Sequence, residues 1–81
     1  MMRPEKQEMT FYAFRYCLGR MTYAVSNCVD YLIAHWIELD NHHRHMIVKE
    51  TKEAIESGCA GHDCDIEQWN KLLKHASRDT L

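Results

Sequence analysis

Eighty-one residues make one domain, near the size at which a core alone leaves little surplus stability, so a metal, a partner or unusually complete packing would help. The formal net charge of −2, from 10 basic and 12 acidic side chains, removes any global electrostatic basis for nonspecific nucleic-acid binding. No run approaches the ~18 apolar residues of a membrane span and no long apolar segment marks a secretory signal, so the expectation is a soluble intracellular protein whose four cysteines are reduced or metal-bound.

Met1 to Glu8 is polar and holds the only proline, Pro4, which reads as a frayed, flexible lead-in (residues 1–8). A first helix is expected from Met9 or Thr10, with Thr10 as its cap and Phe11, Phe14, Leu18 and Met21 turned inward. Gly19 offers a place for positive φ, and Arg20 and Met21 form a tight junction before Thr22 caps the next helix. The alternative is one long helix through Gly19, at about 1 kcal/mol relative to alanine.

Thr22 to Leu39, TYAVSNCVDYLIAHWIEL, is the element around which the rest must pack. Val25, Cys28, Val29, Leu32, Trp36 and Leu39 recur at intervals of three and four, and Ile33 and Ile37 widen the stripe. A helix this apolar needs cover on more than one side. Asp40 and Asn41 then break the pattern and can cap a third helix from about His42 to Ser57, with Ile47, Val48, Thr51, Ala54 and Ile55 on one side and Gly58 as terminator. After a short loop, Asp65 followed by Gln68 reads as a capping box for a last helix reaching about Ser77, with Ile66, Trp69, Leu72, Leu73 and Ala76 inward. No stretch supports a strand of useful length. The fold class is all-α, a small bundle of three to four helices forming a single domain over residues 1–81.

Cys59, His62 and Cys64 form the best chemical cluster, because zinc favours thiolate and imidazole donors and a small domain gains folding free energy from the ion. If the last three helices alternate in direction, the loop after Ser57 lies beside the start of the central helix. Cys28 is then the preferred fourth ligand of one structural zinc, with Cys17 next; ordinary buried or free thiols are the competing reading. His42, His43 and His45 stand at the other end of the third helix, roughly 20 Å away at 1.5 Å per residue. A separate site there with His35 would need consecutive histidines, which point in different directions, to converge.

At the first junction Arg15 and Arg20 offer planar guanidinium forks and Tyr16 and Tyr23 large amphipathic rings, a combination suited to phosphate or a nucleotide. The same arginines can instead pair with Asp30, Asp63 or Asp65 and fix a helix crossing. Trp36 and Trp69 sit on apolar stripes and read as core. Zinc-protease, phosphate-loop, dinucleotide and nucleophile-elbow motifs are absent, and Asp30, Glu38, Glu50, Glu53 and Glu56 read as solvated, so no catalysis is expected.

The stretch RYCLGRMTYAVSNCVDYL resembles the opening signature of a family of small phage and prophage proteins, in which Arg-Tyr precedes Leu-Gly-Arg and then Thr-Tyr. Those positions are Arg15, Tyr16, Leu18, Gly19, Arg20, Thr22 and Tyr23, and the pair Cys64-Asp65 followed by Trp69 extends the similarity. The chain is also similar in kind to a small helical, metal-containing phage inhibitor of a type II CRISPR nuclease, an anti-CRISPR. Cys17, Cys28 and Cys59 lie outside the family pattern. The resemblance implies a protein-binding inhibitor in the host cell cytoplasm that occludes the nuclease and blocks loading of target DNA. Glu50, Glu53 and Glu56 would approach a basic channel, with Arg15 and Arg20 as further contacts. The alternatives are a nucleotide sponge built on Arg15, Tyr16, Arg20 and Tyr23, and a structural or transcriptional accessory protein of a phage. The last is disfavoured by the lack of a basic recognition helix, so no sequence-specific nucleic-acid binding is expected.

Overall fold

The first helix starts at the proline that the sequence assigns to a lead-in. In the computed structural model, which describes residues 1–18 and 24–79, α1 spans Pro4–Cys17. Proline suits a first helical position, where its missing N–H costs nothing and its φ is already helical, and Glu5 adds favourable charge in the first turn. Residues 1–8 are therefore mostly helix, and Met2 is core, only 5% exposed. Gln7 holds this end in place: its Nε2 donates to the Met2 carbonyl at 2.8 Å, while its Oε1 accepts from the Asp40 N–H at 2.8 Å. The Met2 N–H donates to the Glu38 carbonyl at 2.9 Å. Thr10 is not a cap but lies in mid-helix, its hydroxyl donating back to the Lys6 carbonyl at 2.7 Å. The inner face of α1 is Gln7, Thr10, Phe11, Phe14 and Cys17, and Leu18 is half-buried just past its end.

The expected break at Gly19, and the placement of Arg20, Met21, Thr22 and Tyr23, lie outside the described residues. Helix α2 spans Ala24–Ala34 and buries Val25, Val29 and Leu32. It stops five residues before the expected Leu39. His35 leaves the helical region, and a 3₁₀ turn, Trp36–Glu38, follows. Arg44 stabilises this early ending, donating from Nε to the Trp36 carbonyl at 3.0 Å and from Nη2 to the Ile37 carbonyl at 2.9 Å. The tightened turn keeps Trp36 and Leu39 buried but swings Ile37 outward to 73% exposure, so Ile37 does not widen the stripe.

Helix α3, Asn41–Glu56, is capped by Asp40, whose Oδ1 accepts from the His43 N–H at 2.8 Å. It ends as the sequence predicts: Gly58 takes φ +77°, the Cys59 N–H donates to the Ala54 carbonyl at 2.8 Å and the Gly58 N–H to the Ile55 carbonyl at 3.2 Å. That pair of bonds is the Schellman motif. Helix α4, Asp63–Asp79, starts earlier than the expected Asp65–Gln68 box. Asp65 instead reaches back to accept from the His62 N–H at 3.1 Å, the role of the third residue of a helix in a box opened by His62.

Helix α4 packs on α2 and α3, and α1 packs on the same two. Phe14 and Trp69 meet edge to face at the centre, 5.6 Å between ring centroids. Trp36, Leu39, Ile47, Thr51 and Leu72 complete the interior, with the Thr51 hydroxyl satisfied by the Ile47 carbonyl at 2.7 Å. Among the described residues, the buried indole N–H groups of Trp36 and Trp69 have no acceptor, so their large apolar area outweighs an unmet donor of about 1–3 kcal/mol each. The described residues form an all-α bundle of four helices, none long and apolar enough to cross a membrane.

Candidate functional site

The loop between α3 and α4 does not gather its donors. The glycine turn after Ser57 sends Cys59 into solvent, where its thiol is 3.8 Å from the Ser57 carbonyl, and His62 and Cys64 are exposed at the start of α4. Cys28 is elsewhere, half-buried on α2 beside Cys17 of α1. Among the described residues, no group of three or more His, Cys, Asp or Glu side chains converges as a metal site. Cys59, His62, Cys64 and Cys28 are thus not gathered into one cluster in this arrangement.

The histidines near the start of α3 are likewise spread. His43 is taken up by Asp40, its Nδ1 2.7 Å from Oδ1, and its ring meets that of His42 edge to face at 5.6 Å. His35 pairs with Glu38 across the 3₁₀ turn. The His43 backbone N–H, and then its ring, hold the Asp40 carboxyl below the usual range; the hydrogen bond from His35 does the same for Glu38.

Glu53 and Glu56 are exposed and Glu50 is half-buried. At about 100° per residue, Lys49 and Lys52 fall on the same outer face as Glu53 and Glu56, while Glu50 points aside. The face is thus of mixed sign rather than an acidic strip. Arg15 lies over the Phe11 ring at 6.0 Å, engaged with its own helix, and Arg20 is outside the described residues.

The surface that stands out is on α1 and its seam with α2. Met9, Tyr12 and Tyr16 are 72%, 66% and 62% exposed, and with Ala13 they share one face of α1, two turns long. Met9 and Ala13 also form one wall of a groove of about 470 Å³, whose other wall is Asn27, Cys28, Tyr31 and Leu32 of α2 and whose floor includes Cys17. Grooves of this size, lined by apolar groups with a few polar ones, are the usual form of a binding site. Burial, and then the neighbouring Cys17 thiol, push the Cys28 thiol up to about 12, so it stays protonated at neutral pH.

The sequence reading missed Met9 and Tyr12 as surface residues of interest. The signal was available: once Phe11 and Phe14 are assigned inward, a helix places positions 9, 12, 13 and 16 outward, where Met and two Tyr are unusual choices. Compared with protein-family models, with curated proteins and with solved structures, the chain matches none.

Proposed function

We propose that the chain is a stoichiometric protein-binding inhibitor rather than an enzyme, and that it grips its partner through the outer face of α1 and the adjoining groove. The observation carrying this reading is the exposed set Met9, Tyr12 and Tyr16, continuous through Met9 and Ala13 with an apolar groove. Contiguous exposed apolar surface marks interaction sites, and Tyr and Met are enriched in protein interfaces. The partner class rests on the Arg15-to-Tyr23 signature alone: a type II CRISPR nuclease, held so that target DNA does not load. Occlusion through α1 replaces the acidic-channel contact, because Lys49 and Lys52 offset Glu53 and Glu56.

Titration into a fixed amount of guide-loaded nuclease tests this. Cleavage is expected to stop near a small integer ratio, with target DNA unbound. Full cleavage at large excess across several type II nucleases, together with nucleotide binding lost on Arg15→Ala, moves the assignment to the sponge. A structural zinc belongs to the proposal only if elemental analysis finds close to one per chain and Cys28→Ser releases it. Metal-free chain with an unchanged Tm after chelation removes the ion.

A further inference from the structure

We infer that Cys17 and Cys28 are a disulfide-forming pair, a covalent site that joins α1 to α2 at the floor of the groove. The two thiols lie on different helices yet share this groove, and both are free. The packing of α1 on α2 brings both to the same side of the seam, as neighbours in the groove lining. Cys17 is 9% exposed at the floor of the groove, whereas Cys28 is half-buried and the more open of the two. A small reagent therefore meets Cys28 first, and Cys17 is already in place to displace whatever Cys28 acquires. Cys59 and Cys64, although closer in sequence, are both exposed and have no such enclosure.

The oxidant class is a low-molecular-weight disulfide. Cys28 loses its proton and attacks one sulfur, breaking the S–S bond and releasing one thiol. Cys17 then attacks the mixed disulfide at the Cys28 sulfur and expels the second thiol. The two protein thiols are oxidised, the reagent disulfide is reduced, and the two protons leave on the two released thiols. Because the Cys28 thiol is held protonated, the first step is slow at neutral pH and accelerates as pH rises.

The test is to incubate the full chain with oxidised glutathione at pH 8.5, block remaining thiols by alkylation, and digest with trypsin without reduction. Cleavage after Arg15, Arg20 and Arg44 separates Cys17 from Cys28. The expected product is peptide 16–20 bonded to peptide 21–44, two hydrogen atoms lighter than the separate pair. Its formation should raise the Tm by about 5 °C or more, reversed by dithiothreitol. Glutathione remaining on Cys28, Cys17 alkylated only after unfolding, or linkage of Cys28 to Cys59 or Cys64 would each overturn the inference.

Discussion

The two faces of α1 obey one helical period and have opposite fates. Inward, Phe14 is fully buried against Trp69, and Gln7 ties the N-terminus to the start of α3. Outward, Met9 and Tyr12 carry comparable bulk into solvent. The first set builds the core, and the second stays largely in solvent, with the Tyr12 ring 6.2 Å from that of Phe11. Under the proposed function, the outward set is the contact with the partner.

Substitutions can break or sharpen that contrast. Phe14→Ala removes the ring at the centre of the bundle and should cost about 3–5 kcal/mol, enough to unfold much of a domain this small. Thermal or urea melts read it directly, and a cooperative transition near the wild-type midpoint would show that the inner face is not the core.

Gln7→Ala comes next. It strands the Asp40 N–H and the Met2 carbonyl, which should cost about 1–3 kcal/mol. Amide exchange at Met2, whose N–H is held by Glu38, should rise in the variant. Unchanged protection there would mean that Gln7 does not anchor this end.

A smaller effect is expected at Asp40. Its folded carboxyl is held below its ordinary value, so its contribution is complete above the unfolded value of about 3.9 and is lost as pH falls through the lowered folded value. Asp40→Asn keeps a good capping acceptor but cannot titrate. Acid titrations should therefore show a steeper loss below about pH 4 in wild type than in the variant. Parallel curves would remove the His43 contacts as its cause.

The fold class, the four helices and the glycine stop at Gly58 were legible because apolar period and capping chemistry agree there. Two tertiary contacts were not. Arg44 collects the carbonyls of Trp36 and Ile37, ending α2 early, and nothing local in TYAVSNCVDYLIAHWIEL signals an arginine eight residues beyond Trp36. Gln7 reaches Asp40 across 33 positions, which turns a polar lead-in into helix. The surroundings of the cysteines depend on tertiary structure in the same way. Cys59 and Cys64 attract notice by closeness in sequence, but the turn that brings the chain back at Gly58 leaves both exposed. Cys17 and Cys28 line one groove because the helices bearing them pack together.

The most direct measurement pairs stability with binding in a single Met9→Ala/Tyr12→Ala chain. Both residues are exposed, so urea melts should place its stability within about 0.5 kcal/mol of wild type per substitution. Affinity for the nuclease proposed as partner, read by calorimetry, should fall at least about 30-fold, roughly 2 kcal/mol, as for loss of a central aromatic anchor. A folded variant that binds and inhibits like wild type would contradict the assignment of this face.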